Sequence, residues 1–448
     1  MSAQPSEATA DRVLELVRTR ASSAEAEVTV RTGNQALTRF ANSSIHQNVA
    51  EELSHVLLRV AVDGRVAASS FDGPPDEDGL ARLVDGALEA ARASAPDADW
   101  PGVAPVSHAP DPDHWDQATA DASPNERARR VAAFVGAADG LETAGACETE
   151  ATVTAFANTA GQRLNGRATA ASLDGIARTA TADGSGRAAS MRLGDLDGAA
   201  AGGRAAEKAR QASDAQDLEP GRYEVVLEPQ CVSNLLQFLF VYGFNGRALE
   251  EGRSFARIGE AQFDPAISFA DDATDPGQVG VAFDAEGTPK RRVDVVERGV
   301  TRAVLHNRRT ASGAGTESTG HSIEGGDAWG ALPSNVVMAA GDRSTEELLA
   351  GVERGVLVTD FWYTRILDPR TQVVTGLTRN GAWLVEDGRI VRPVANLRFT
   401  QSFLEALGPG AVRGVGSGRE LVSGGFEGAY LVPALHLASW NFTGGAQG

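Results

Sequence analysis

Residues 229–242 read PQCVSNLLQFLFVY, an apolar helix placed directly after a strand at 223–227. Glycines 243, 246 and 252 follow it. A residue without a Cβ lets another backbone approach closely, with ordinary turn glycines as the alternative. A segment this apolar constrains the fold more than any other stretch of the chain, because the sequence around it has to supply a core.

Upstream of the helix, helical and strand patterns alternate. Val13, Leu14, Leu16, Val17 and Ala21 make a helical apolar stripe over 10–20. Residues 25–32 read as a strand. Residues 56–70 read as a hairpin turning at Asp63-Gly64, where glycine tolerates the positive φ of the turn. A second helix over 77–93 puts Leu80, Leu83, Val84, Ala87, Leu88 and Ala91 on one face. Residues 95–122 are rich in Pro and Asp and predict a surface excursion or linker inside the N-terminal domain. Ser123-Pro124-Asn125-Glu126 then opens a third helix with a capping box and a first-turn proline. Strands are expected near 147–158 and 166–181, and an Ala-rich helix near 199–212.

Leu218-Glu219-Pro220-Gly221 marks a boundary, giving an N-terminal domain over 1–218 and a C-terminal domain over 219–448. The second half is rich in strands and glycine. Its clearest strands are 281–292, 299–307, 355–363 and the hairpin 382–394 turning at Asp387-Gly388. A further capping box, Ser344-Thr345-Glu346-Glu347, opens a helix reaching Val352. The order predicts an α+β protein: a mixed N-terminal domain, then a strand-rich C-terminal domain with a core sheet.

Composition excludes several functions. The formal net charge of −19 repels nucleic-acid phosphates and anionic membranes. No apolar run approaches the roughly 20 residues that span a bilayer. The N-terminus lacks a basic segment followed by an apolar one, so a cytoplasmic protein is expected. Cys147 and Cys231 have no metal-ligand spacing and form no disulfide framework. Cys231 lies near a helix start, where a thiol pKa can fall, but no base adjoins it in sequence and a structural cysteine is expected. His108 to His114 places four potential ligands in seven residues, but two prolines keep the stretch extended and a solvated loop is expected. There is no P-loop, no GxSxG elbow and no HExxH.

Segment 234–254, NLLQFLFVYGFNGRALEEGRS, resembles the zinc-site helix of the TldD/PmbA peptidase family. The catalytic subunit of that family carries His-Glu-x-x-x-His there, after an apolar lead-in and before Gly-x-x-Gly. Here the lead-in is Leu235-Leu236 and the glycines are Gly243 and Gly246. Gln237 stands at the first His position, Phe238 at the Glu position and Tyr242 at the second His position. Further short matches run in the same order: Asn158 to Gly161, Pro220-Gly221-x-Tyr223, Asp271-Asp272, Phe283 to Gly287, and Ser318 to His321. The catalytic subunit also uses a cysteine near its C-terminus as a zinc ligand. The matching stretch here, SGGFEGAY at 423–430, contains none.

The resemblance implies the metal-free, TldE-type subunit. Gln is a poor zinc ligand, Phe is none, a neutral Tyr is rarely one, and Phe238 cannot serve as a general base. No catalytic, cofactor or metal residue is expected in this chain. Zinc is expected in a TldD-type partner, with which this chain would form a heterodimer closing a cavity for unfolded or small peptides. Gly243, Gly246 and His321 are the residues expected to touch peptide. The alternative is a stand-alone homodimer with a non-proteolytic binding or biosynthetic role in the inherited cavity.

Overall fold

The computed structural model describes residues 4–423 and 428–445, so residues 424–427 of the 423–430 stretch lie outside the described residues. Two sheets organise the chain. The first comprises β1 (Glu25–Ala41), β2 (Ser44–Val62), β3 (Arg65–Asp72), β4 (Glu142–Asn158), β5 (Arg163–Arg178) and β6 (Asp183–Ser190). They are antiparallel, in the order β3-β2-β1-β4-β5-β6. Helices Gln4–Arg20 and Glu77–Ala93 pack over one end, burying Val13, Leu14, Val28, Val30, Leu58 and Val84 together. Helices Pro124–Ala137 and Gly198–Gln211 cover the other end through Phe40, Phe134, Leu173 and Ala205. The capping box at Ser123 forms as expected, with Glu126 accepting from the Ser123 amide.

β1 and β2 run far beyond the expected strands, pairing from Glu25 opposite Ala61 to Ala41 opposite Ser44. Residues 45–52 are mostly exposed, so this part of the hairpin carries no apolar alternation to betray it.

The second sheet has eleven strands. They are β7 (Gly221–Leu227), β8 (Phe269–Asp271), β9 (Val293–Glu297), β10 (Val300–Thr301), β11 (Asn335–Met338), β12 (Arg354–Asp368), β13 (Val373–Glu386), β14 (Arg389–Pro393), β15 (Leu397–Ser402), β16 (Val412–Ser423) and β17 (Ala429–Gly445). The main path is β10-β9-β8-β11-β17-β15-β13-β12-β7, with β14 on β13 and β16 on β17. The helix Pro229–Tyr242 lies in the core of this half, and Cys231, Val232, Leu235, Leu236, Leu239 and Phe240 have no exposed surface. Helices and strands segregate around two sheets, which is the α+β class. Among the described residues no helix is long and apolar enough to cross a membrane.

Two expected strands differ. Residues 281–292 form no strand, because the Asp284 carboxylate accepts from the backbone amides of Glu286, Thr288 and Ser322 and curls the segment into a turn. Of 299–307 only Val300–Thr301 is strand.

The Pro/Asp-rich segment is a clasp rather than a free excursion. The Arg309 guanidinium donates to Asp97 at 3.0 Å. Arg308 Nη2 donates to the carbonyls of Pro101 and Val103 at 3.2 and 3.1 Å. His114, expected in a solvated loop, is 1% exposed, with its ring nitrogens 3.0 Å from the Gly280 carbonyl oxygen and 3.1 Å from that of Asp275. An extended proline-rich strand leaves its carbonyls unpaired, and arginines of the second half take them up.

Candidate functional site

Pro229 occupies the first turn of the motif helix, where its missing N–H costs nothing, and Gly243 closes the last turn. One face of the helix is buried. The other, partly buried, carries Asn234, Gln237, Phe238 and Tyr242. The i, i+4 spacing stacks Phe238 on Tyr242, with ring centroids 5.8 Å apart at 22°. Phe238 also meets Phe403 edge-on, at 5.8 Å and 86°. Asn234 Nδ2 donates to Thr364 Oγ1 at 3.3 Å.

The structure thus brings Gln237, Phe238 and Tyr242 onto one partly buried face. A phenyl ring, a phenol and an amide do not make a zinc donor set. Among the described residues no group of three or more His, Cys, Asp or Glu side chains is placed to hold a metal ion.

Gly243, Gly246 and His321 are each packed within the chain. A Cβ on Gly243 would lie 1.9 Å from a Phe255 ring carbon, and one on Gly246 would lie 2.4 Å from His306 Nδ1. Close packing inside the chain accounts for both glycines. The His321 side chain has no exposed surface, lies 3.0 Å from Asp271 Oδ1 and contacts Thr319 Oγ1 at 2.8 Å. Burial pushes the Asp271 carboxyl up. The His321 charge and the Asn335 amide outweigh that and hold it below its ordinary value. Cys231 is fully buried, and burial raises its thiol well above the usual range; the Cys147 thiol is pushed up to about 12 by the same cause. Both are inert packing residues.

The first turn of the motif helix reaches a cavity of about 1310 Å³ between the two halves. Strands β4, β5 and β6 form one wall, and Glu228, Gln230 and the edge strand β16 form the other. Charged groups cross it in pairs. Lys208 Nζ lies 2.6 Å from Glu228 Oε2, and Arg187 bridges Asp174 and Asp360 at 3.0 and 2.7 Å. Burial raises the Glu228 carboxyl, opposed by Lys208.

A second charged contact between the halves went unread in the sequence. Arg59 Nε donates to Glu27 Oε1 at 2.6 Å and its Nη2 to Glu286 Oε1 at 3.0 Å, while Glu286 Oε2 accepts from the Arg308 amide. Burial pushes the Glu27 carboxyl up to about 8, against the Arg59 charge and with the help of Glu286. Burial and Glu286 also raise Asp284. The one signal for this contact was the Phe283 to Gly287 match, whose partner across the chain has no mark in the sequence.

Two family models match the chain: the PmbA/TldA metallopeptidase C-terminal domain over residues 220–444, and domain 1 of the same family over 26–91. A metalloprotease of Methanothermobacter thermautotrophicus is 29% identical over 229 residues, 48% of this chain and 47% of that protein. A metalloprotease TldD homolog of Buchnera aphidicola is 25% identical over 194 residues, 42% of this chain and 39% of that protein. The alignments therefore span less than half the length of these relatives. TldE from Thermococcus kodakarensis superposes with a TM-score of 0.85 at 19% identity, covering 97% of this chain and all of that one. A Thermotoga maritima protein superposes at 0.83 and 20% identity, covering 98% of this chain and 100% of that one. These two likenesses fix the fold, and the family models fix the lineage: the chain belongs to the TldD/PmbA metallopeptidase family.

Proposed function

We propose that this chain is the TldE-like subunit of a two-chain zinc peptidase and closes a peptide-holding cavity around a metal site supplied by a TldD-type partner. The observation that supports this reading is the packing of Phe238 between Tyr242 and Phe403, at the position to which the resemblance assigns the general base of a catalytic subunit. Zinc in the partner would polarise the peptide carbonyl and activate water. This chain's part is to bind and enclose. The cavity of about 1310 Å³ beside the first turn of the same helix is large enough for several residues of extended chain. The helix keeps its apolar core while its polar positions are replaced, as expected of a scaffold retained for assembly.

The test is to purify the chain alone and together with a zinc-motif homologue from the same genome, then measure metal content and cleavage of an unfolded peptide. The lone chain is expected to be metal-free and inert, and a one-to-one complex to carry one zinc and cut. Stoichiometric zinc on the lone chain would overturn the reading. An inert, zinc-free homodimer that ignores the homologue would favour the stand-alone role instead.

A further inference from the structure

Part of the second sheet closes on itself. β7 pairs with both β12 and β17, which joins β17, β15, β13, β12 and β7 into a barrel. The core side of these strands is filled with rings: Phe361 stacks on Trp440, centroids 5.2 Å apart at 19°, and Phe399 has no exposed surface. The other side carries large apolar residues that the core does not use. Nine such side chains are exposed among the described residues. Three of them, Trp362, Tyr363 and Leu367, stand within one stretch of β12, at 52, 65 and 58% exposure. Apolar exposure gathered in one place marks a contact surface.

Register adds to this face. Trp362 lies opposite Leu377 of β13, which lies opposite Arg398 of β15, and directly opposed residues share a face. One extra residue bulges β12 between Trp362 and Arg365. There Tyr363 sits at φ +52°, a conformation that a bulky residue seldom takes, with most of its side chain in solvent. The Arg379 guanidinium covers the Trp362 ring at 4.3 Å, and that of Arg365 covers Tyr363 at 4.4 Å. Arg365, Arg379 and Arg398 join no ion pair among the described residues. The carboxylates nearest in sequence are engaged elsewhere. Asp360 is buried and bridged to Arg187, and Asp368 accepts from the Arg370 amide and the Thr371 hydroxyl in its own turn.

Aromatic rings and arginines side by side are the residue types that dominate the energetics of protein contacts. Three guanidiniums without a carboxylate call for carboxylates opposite them. A second copy would meet this face about a two-fold axis and set three arginines against three more. The net charge of −19 opposes nucleic acid. We infer that this face docks a second, different protein chain, whose contacting surface sets carboxylates around an apolar centre. The inference rests on the two-subunit reading above for the identity of that chain, the zinc-motif homologue. Thr364, in the bulge, accepts from Asn234 of the motif helix at 3.3 Å, so a chain docked here sits beside the helix whose partly buried face carries Gln237, Phe238 and Tyr242.

The test is calorimetric titration of the full chain with the zinc-motif homologue from the same genome. Trp362→Ala should weaken binding roughly tenfold. Joint Arg365→Glu and Arg379→Glu substitution should weaken it by roughly tenfold or more, by setting carboxylates against carboxylates. Arg18→Glu, on the exposed side of the first helix, changes the net charge equally per residue and should leave binding as it was. Native-strength binding by the patch variants would overturn the inference and leave the two-subunit reading standing. A homologue that does not bind the native chain would overturn both. Self-association of the lone chain that disappears with the same substitutions would give the face to a second copy. Retention of a single-stranded oligonucleotide that disappears with them would give it to nucleic acid. Either result overturns the inference.

Discussion

The motif helix and the contact between the two halves both enclose side chains, by opposite means. Around the helix, Phe238, Tyr242 and Phe403 fill space with rings that need no partner. Across the halves, Arg59 reconciles two carboxylates that are almost wholly buried, Glu27 and Glu286. Aromatic packing loses roughly what is removed from it. A buried ion network is worth little as a sum, yet losing one member strands the rest. The two regions should therefore respond differently to truncation, although both are interior.

The sharpest way to break that contrast is Arg59→Ala. Measured near pH 9, where Glu27 is ionised, it leaves Glu27 and Glu286 uncompensated, and the expected cost is about 3–5 kcal/mol in urea unfolding. A loss below about 1 kcal/mol would mean that the carboxylates accommodate themselves and the contrast is wrong. Phe238→Ala should cost less, about 2 kcal/mol, because the ring is only partly buried and its neighbours can close over it.

The pH dependence separates the regions further. Glu27 rises from 4.5 to about 8 on folding, so its protonated form contributes stability that is fully present below about pH 4.5 and is lost as pH rises through about 8. Glu27→Gln keeps a neutral side chain at every pH. Its stability relative to the native chain should climb between those values, by at most about 1.4 kcal/mol per pH unit. Parallel stability curves for the two proteins would show that Glu27 does not titrate there. No such slope is expected for Phe238→Ala. The smallest expected effect is His108→Ala. It should stay within about 0.5 kcal/mol by thermal unfolding, since this ring is exposed while His114, six residues on, is buried against two carbonyls.

Local chemistry was legible in the sequence. The capping boxes at Ser123 and Ser344, the helix Glu77–Ala93 and the hairpin at Asp387-Gly388 all stand where their own residues put them. Each depends on neighbours within a few positions. The misreadings share a different cause. Residues 281–292 alternate like a strand, but the Asp284 side chain takes the amides that a ladder would need. The β2 arm at the far end of the β1–β2 hairpin, residues 45–52, is mostly exposed and shows no apolar alternation. His114 reads as polar and solvated until the carbonyls of Gly280 and Asp275 arrive from more than a hundred residues away. At the candidate site, the apolar run that makes the helix was plain, whereas the burial of His321 and the tight seats of Gly243 and Gly246 depend on Asp271, Phe255 and His306 being folded against them.

The clasp sets an order of events for a chain emerging from a ribosome. Asp97, the carbonyls of residues 101–103 and His114 belong to the first half, yet their partners are Arg309, Arg308, Gly280 and Asp275. Synthesis at about 5–20 residues per second delivers those partners roughly 10–40 s after the strap itself has left the tunnel. For that interval the first sheet can close while its strap has nothing to hold. The N-terminal half is therefore born with an unfastened edge, and the last native contacts it makes are timed by the translation of the other half.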